Sequence, residues 1–213
     1  MKIINFRDLI INLPEQQQSF PIKRSNWERF FDYSDVLEEC FSNKEEVEIS
    51  REDIFAVQVE NLEELFFKTI LWGYPIGMRG TNFSKLLQNK ETILDLLIDA
   101  KSGISDWRVH SRIATQIPGL GLSTYSKLLF FIRAKVEGFP AVILDLRIIN
   151  TIQKRAFEEL NSLPKITYEN GWRRYIDYLT LIDWIAQELN TDSGKVEMFL
   201  FEFGLYVKPL RTS

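Results

Sequence analysis

The sequence predicts an all-α protein built from many short and medium helices. Apolar residues recur at spacings of three and four over long stretches, which places them on one face of a helix; Leu146, Ile149 and Ile152 are a clear example. No segment alternates apolar and polar residues for more than a few positions, as a half-buried strand would. Short groups of glycine and proline separate the helical stretches and indicate loops.

The elements follow one another along the chain, with boundaries predicted to within a few residues, and the pattern is clearer after residue 35. Residues 1–35 are the least periodic part, and their proline-flanked, glutamine-rich stretch predicts a loop. A second loop, 72–82, contains three glycines and a proline. The predicted helices are 33–41, 51–72, 83–87, 92–98, 106–116, 122–136, 146–160, 172–189 and 193–206.

Composition excludes several classes of protein. The chain has 213 residues, of which 45% are hydrophobic, so it can bury a substantial core. Its single cysteine, Cys40, and single histidine, His110, exclude a disulfide framework, a thiolate zinc site and a four-cysteine iron–sulfur cluster. We therefore expect no metal and no cofactor. Because no apolar run is long enough to span a bilayer and the N-terminus lacks a signal peptide, we expect a cytoplasmic protein that does not contact membranes.

Charge is distributed unevenly along the chain. The net charge is −4, but residues 35–64 contain 11 acidic and two basic residues, whereas residues 101–155 contain nine basic and three acidic residues. A basic segment in an acidic chain indicates a face for an anionic partner. Ordinary solvated helix faces would give the same counts, so charge alone leaves both interpretations open.

A glycine-rich turn, Ile-Pro-Gly-Leu-Gly, lies between two predicted helices inside the basic segment. Gly119 and Gly121 allow the backbone to turn sharply and to approach a partner closely. The free amides near Ser123 and Thr124, at the start of the next helix, form a site suited to a phosphate. Lys127 adds positive charge one turn further on. This arrangement predicts contact with a nucleic-acid backbone without recognition of base sequence.

The turn is followed by the loop Gly138-Phe139-Pro140 and then by Asp145, which is predicted to cap the next helix. Hairpin, loop and capping aspartate in this order resemble the helix-hairpin-helix superfamily of DNA base-excision glycosylases. The segment 196–204 is reminiscent of a compact bacterial branch with the 8-oxoguanine glycosylase fold. The strongest resemblance covers residues 113–152.

The resemblance implies two helical lobes with a DNA groove between them. Residues 60–157 would form a central bundle that carries the hairpin at 117–123. Both chain ends, 1–59 and 158–213, would form the second lobe. The implied partner is double-stranded DNA, without an iron–sulfur cluster.

The resemblance also implies removal of a base that is flipped out of the duplex, and 8-oxoguanine is the first candidate. Asp145 would stabilise the cationic sugar as the glycosidic bond breaks, or orient the attacking water. A capping role alone would also explain this aspartate, and the two roles are compatible. Arg147 would contact the backbone near the target, beside the phosphate site formed by Gly119, Gly121 and their neighbours.

One departure from the superfamily pattern bears on the reaction. Members that also cut the DNA backbone carry a lysine two residues after the second hairpin glycine, where it forms a Schiff base. This chain has Ser123 at that position, which implies hydrolysis without lyase activity. Lys127 lies one helical turn beyond it on the same face and is a weaker candidate for that role.

Two further segments have candidate roles. Met78, Arg79 and Asn82 lie in the loop between two helices, where they would fill the gap left by the flipped base or pair with the orphaned base. A plain solvent-exposed connection is the alternative for these three. Aromatic runs near a helix end are usually buried, so we expect Phe201 and its neighbouring phenylalanines to belong to the core.

Two functions from other classes stay open on the sequence alone. A DNA-binding module that keeps the hairpin but has lost the chemistry fits the missing lysine. An acidic interaction protein that never contacts DNA fits the negative net charge.

Overall fold

The computed structural model describes residues 1–58 and 60–207. Within them the chain is mostly helical, as the sequence predicts, and carries two small antiparallel sheets of two strands each. The α-helices are α1 (Arg7–Ile11), α2 (Asp35–Glu39), α3 (Arg51–Phe55), α4 (Leu62–Gly73), α5 (Asn82–Gln88), α6 (Lys90–Lys101), α7 (Trp107–Ala114), α8 (Leu122–Phe131), α9 (Leu146–Lys154), α10 (Gly171–Leu189) and α11 (Ser193–Phe203). The strands are β1 (Ser19–Lys23), β2 (Glu46–Ser50), β3 (Lys135–Val136) and β4 (Phe139–Pro140). No helix within these residues is long and apolar enough to cross a membrane.

The sheets are the main departure from the predicted all-α fold. β1 pairs with β2 over five residues, from Ser19 opposite Ser50 to Lys23 opposite Glu46. The prediction of a loop at β1 was wrong because its partner lies far along the chain, where local periodicity carries no information about pairing. The prediction of a helix to residue 136 was also wrong. α8 ends at Phe131, and β3 and β4 form a hairpin whose turn residues Glu137 and Gly138 both have positive φ.

Capping side chains explain why the predicted helix 51–72 is two helices. Ser50 and Asp53 form a capping box at the start of α3. The side chain of Asn61 accepts a hydrogen bond from the backbone amide of Glu64 and thereby starts α4. Similarly, α9 ends before residue 160, because Arg155 adopts the left-handed conformation that terminates a helix.

The buried apolar side chains form one continuous cluster to which the described helices contribute. α4 packs on α8, and α11 packs on both α9 and α10. Residues of the N-terminal segment 1–59 contact residues of the C-terminal segment 158–213. The backbone amide of Glu158 donates to the Met1 carbonyl, and the Ile3 amide donates to the Glu159 carboxylate. The division into two lobes stays a prediction. The packing brings the ends of α4 and α11 and the starts of α8 and α9 into one neighbourhood.

Candidate active site

The backbone of the turn between α7 and α8 lies very close to a neighbouring helix, as its glycines predict. Gly119 has a φ of +85°, and a Cβ atom there would lie 2.8 Å from the carbonyl oxygen of Asn82. The turn therefore packs directly against the start of α5. Gly121 is the N-cap of α8, and no side chain caps that helix end. The first-turn amides of α8 thus lack a side-chain acceptor, which suits them to an anion.

The hydroxyl groups at the start of α8 are committed to other protein groups. Thr124 is buried, and its Oγ1 lies 2.7 Å from the Tyr74 hydroxyl oxygen. The Ser123 hydroxyl oxygen accepts a hydrogen bond of 2.9 Å from the Lys127 ammonium. The first two backbone amides of α8, those of Leu122 and Ser123, suit a phosphate, whereas the Thr124 amide donates to the Gly121 carbonyl oxygen at 3.0 Å. Phosphate binding by Ser123 and Thr124 stays a prediction.

Asp145 caps α9, as predicted. Its Oδ1 accepts a hydrogen bond of 2.9 Å from the backbone amide of Ile148. Its Oδ2 lies 4.0 Å from the Lys127 Nζ, and the side chain is 16% exposed. One carboxylate oxygen is therefore structural, while the other stays accessible for chemistry.

Lys127 is nearly buried beside that carboxylate. Its Nζ donates to both the carbonyl and the hydroxyl oxygen of Ser123, at 3.1 and 2.9 Å, and lies 5.5 Å from the centre of the Tyr74 ring. Gly73 makes room for the lysine stem, because a Cβ atom there would lie 2.9 Å from the Lys127 Cδ. The side chain folds back by one helical turn, so the ammonium reaches Ser123 although its own Cα lies four residues further on.

Asp145 and Lys127 line one pocket of about 220 Å³, which we call the Asp145 pocket. It is smaller than the roughly 300–1,000 Å³ typical of sites for drug-sized ligands. Its other lining residues come from distant segments: Phe20, Arg51, Trp72, Gly73, Pro75, Ile143, Glu197 and Phe201. A second pocket of about 280 Å³ also contains Asp145, together with Gly121, Ser123 and Tyr168.

A buried polar cluster, formed by Glu15, Gln18, Arg51 and Glu197, reaches the Asp145 pocket. The Arg51 guanidinium donates to Glu197 Oε2 at 2.9 Å and to Gln18 Oε1 at 2.8 Å, and it forms a longer ion pair with Glu15. Burial raises the pKa of Glu197 to about 7, although the neighbouring Arg51 charge acts in the opposite direction. The Oε1 of Glu197 has no hydrogen-bond partner among the described residues.

The three residues that were predicted to fill the gap left by a flipped base, in or next to the loop between α4 and α5, differ in their exposure to solvent. Arg79 and Asn82 are exposed, whereas Met78 is partly buried and packs against the core. Ile76, on the same loop, is 86% exposed and was missed. The signal was available in the sequence, since a bulky apolar residue in a Gly/Pro loop between two helices has little core to join.

Arg147 packs on the end of α11. Its guanidinium donates to the carbonyl oxygens of Phe201 and Glu202 and lies 4.8 Å from the centre of the Phe201 ring. Its predicted contact with a phosphate stays a prediction. Phe201 lines the Asp145 pocket instead of belonging wholly to the core, while Phe199 is fully buried as expected.

Sequence reasoning also missed Arg51 and Glu197. Each is a charged residue buried to at least 99%, and the two stand 146 positions apart in the chain. No local spacing connects them. The available signal concerned Glu197 alone, which lies within a strongly apolar helical stretch where a buried charge requires a partner; Arg51 lies among acidic residues and gave no such signal.

Comparison with protein families supports the class of protein that the hairpin and aspartate suggest. A family model described as "Putative 8-oxoguanine DNA glycosylase OGG-like protein" matches residues 14–201. The match spans most of the chain and includes α3 to α10 in full. The chain therefore belongs to this OGG-like glycosylase family. No curated protein and no solved structure matches the chain.

Proposed function

We propose that this protein is a DNA glycosylase that hydrolyses the N-glycosidic bond of a damaged or modified base, with 8-oxoguanine as the first candidate. The flipped base would enter the Asp145 pocket, which is lined by Phe20, Trp72 and Phe201. The position of Asp145 carries the proposal. One carboxylate oxygen is fixed by a backbone amide, and the other lies at the pocket.

The chemistry follows from charge development at the sugar. As the base leaves with the bonding electron pair, positive charge builds on the sugar ring, and a carboxylate held close to it lowers the barrier. Because the Ile148 amide fixes Oδ1 of Asp145, Oδ2 needs no reorientation when that charge appears. The same oxygen is placed to orient the water that completes hydrolysis.

The hairpin and the α4–α5 loop would hold the duplex. Phosphate binding is assigned to the first-turn amides of α8 near Gly119 and Gly121, since no side chain competes for them. Ile76 would insert between base steps where the target has left the stack, as apolar wedges do in bent DNA. Arg79 and Asn82, exposed on either side of the loop end, would meet the orphaned base.

A second candidate, a glycosylase that also cuts the strand, is favoured by the position of Lys127. Its Nζ lies 2.9 Å from the Ser123 Oγ and 4.0 Å from Asp145 Oδ2. A deprotonated Lys127 amine would displace the base at the sugar C1′, and opening of the sugar ring at the C1′–O4′ bond would give the Schiff base. Loss of a C2′ proton would then expel the 3′ phosphate by β-elimination. Hydrolysis stays the main proposal, because the Lys127 ammonium donates to both Ser123 oxygens and Asp145 Oδ2, at 4.0 Å, lies beyond hydrogen-bonding distance of it.

The test uses end-labelled duplexes that each carry one modified base, including 8-oxoguanine opposite each normal base. Each reaction is divided into aliquots with and without hot alkali. Hydrolysis alone gives strand breaks only after alkali. Breaks without alkali indicate the lyase, and they should disappear in Lys127→Met but persist in the control Lys135→Met, which changes an exposed lysine.

Asp145→Asn separates catalysis from capping. Asparagine caps a helix as well as aspartate does, so the fold should be kept. We expect the rate of base release to fall about 10²–10³-fold, the usual effect of removing one electrostatic contribution to a transition state. An unchanged rate contradicts the role of Asp145. Binding of every duplex with no base release would instead support the non-catalytic DNA-binding module, and absence of salt-dependent DNA binding would support a partner other than DNA.

A further inference from the structure

The Asp145 pocket contains a buried acceptor that no described residue satisfies. Glu197 is fully buried and lines the pocket, and its Oε1 has no hydrogen-bond partner. A buried polar atom without a partner costs about 1–3 kcal/mol, and such atoms are rare in folded proteins. An unpaired oxygen on a pocket wall is therefore expected to find its partner on the ligand.

The orientation of this carboxylate is fixed from behind. Arg51 donates to the other oxygen, Oε2, at 2.9 Å. The guanidinium is itself held by Gln18 Oε1 at 2.8 Å and lies 5.2 Å from the centre of the Trp72 ring. Because Arg51 is held on two sides, it fixes Oε2 of Glu197, and Oε1 is the carboxylate oxygen that has no described partner. Glu197 therefore has one unused acceptor in a constant position.

Lys127 supplies a donor to the same pocket. An ammonium group carries three N–H bonds, and two of them point to the carbonyl and hydroxyl oxygens of Ser123. The third is available to Asp145 Oδ2, at 4.0 Å, and to a ligand. Besides the catalytic oxygen of Asp145, the pocket thus contains an acceptor on Glu197 and a donor on Lys127, together with the apolar side chains of Phe20, Trp72 and Phe201. A lactam edge, in which a ring N–H stands next to a C=O, complements that pair.

We propose that Glu197 Oε1 accepts a hydrogen bond from the ring N–H, and Lys127 Nζ donates one to the C=O, of a lactam-bearing base, so that the pocket selects keto purines over adenine. This inference rests on the proposed function, because it places the flipped base in the Asp145 pocket. It narrows the substrate class to bases whose edge carries both groups. Glu197 is a specificity residue here, and Asp145 stays the catalytic one.

The experiment compares purines that differ only in their lactam edges. Duplexes carry adenine, hypoxanthine or 8-oxoadenine opposite an abasic spacer, so that no base pair has to be broken. Affinities are measured by fluorescence anisotropy in the Asp145→Asn background, where binding does not depend on excision. The pH is kept well above 7, because burial raises the pKa of Glu197 to about 7 and the experiment requires its ionised form. We expect at least one of the lactam purines to bind about 10-fold or more tightly than adenine.

Glu197→Gln reverses the hydrogen-bonding character of the pocket wall. Arg51 can only donate, so it holds the amide oxygen and turns the NH₂ group towards the base. The preference for lactam purines over adenine should disappear or reverse in Glu197→Gln. It should be unchanged in the control Glu188→Gln, which alters an exposed residue of α10. Thermal unfolding checks that both variants fold. If Glu197→Gln does not fold, Lys127→Met tests the same pocket, and it should weaken the lactam preference by loss of the donor.

The outcomes separate this inference from the proposed function. An unchanged lactam preference in Glu197→Gln, or no preference with Glu197 intact, overturns the role of Glu197 even when base excision is observed. A lactam preference that is lost in Glu197→Gln, with no excision of any base by the unaltered protein, supports the base pocket but contradicts the glycosylase.

Discussion

The hairpin and the Asp145 pocket differ in how the chain builds them. The hairpin and the capping aspartate come from one continuous stretch, 113–152, and each has a local signal in the sequence. The pocket wall opposite Asp145 is assembled from three separate elements, which are β1 with Phe20, α3 with Arg51, and α11 with Glu197 and Phe201. The contrast shows that the parts that would hold DNA and perform chemistry are local, whereas the parts that would choose the base depend on tertiary packing.

The variant with the largest expected effect on stability tests the wall of the Asp145 pocket. Arg51→Met removes the partner of Glu197 and leaves a carboxylate buried without compensation. Loss of one member of a buried ion pair costs about 3–5 kcal/mol. We expect the free energy of unfolding to fall by that amount in urea denaturation. The double variant Arg51→Met with Glu197→Leu should recover much of the loss, because it removes the uncompensated charge.

Equal instability of the single and double variants would contradict that explanation. It would mean that the packing of Arg51 against Trp72 and Phe130 stabilises the wall more than the ion pair does. The ion pairs of the polar cluster would then contribute little to the stability of the pocket wall. The pocket would differ from the hairpin only in that apolar packing between distant segments holds it together.

The next effect tests the hairpin. Gly119→Ala places a Cβ 2.8 Å from the Asn82 carbonyl oxygen in a left-handed residue, so both strain and steric overlap result. We expect a loss of about 1–3 kcal/mol in the free energy of unfolding. Gly80→Ala is the matched control, since Gly80 also has positive φ but no atom lies within 4 Å of its Cβ position.

The difference between these two variants isolates the contact between the hairpin and α5. A loss for Gly119→Ala no greater than for Gly80→Ala would show that the close approach does not constrain the hairpin. DNA affinity, measured on the same samples, should fall for Gly119→Ala because the α8 amides would be displaced.

The sequence predicted the fold where signals were local. Asp145 as the cap of α9, the turn at Gly119 and most helices of the second half follow from spacing and capping preferences. It did not predict β1 and β2, because strand pairing across a long segment leaves no periodicity in so short a strand. The end of α8 at Phe131 was also missed, because the helix is terminated by Arg133, which has a left-handed φ of +55° although it is not a glycine.

The candidate site likewise contains residues that the sequence could identify and one that it could not. Asp145 and Lys127 were named from the sequence, but their separation of 4.0 Å depends on a lysine that folds back towards Ser123 in the space left by Gly73. Glu197 could not be named at all. Its proposed role rests on an unpaired atom, which is a property of packing and not of residue type.

The smallest predicted effect concerns the loop that connects the two regions. Pro75 lines the Asp145 pocket, Asn82 at the far end of the loop contacts Gly119, and Ile76 between them is 86% exposed. If Ile76 fills the gap left by a flipped base, Ile76→Ser should lower affinity for a paired duplex about 3- to 10-fold, because a polar side chain stacks poorly between bases. Single-stranded DNA offers no such gap, so its affinity should not change. Ile98→Ser, at an exposed position on α6, is the control. Equal losses on duplex and single strand would assign Ile76 to general contact with DNA, and no loss on either would leave the loop outside the DNA interface.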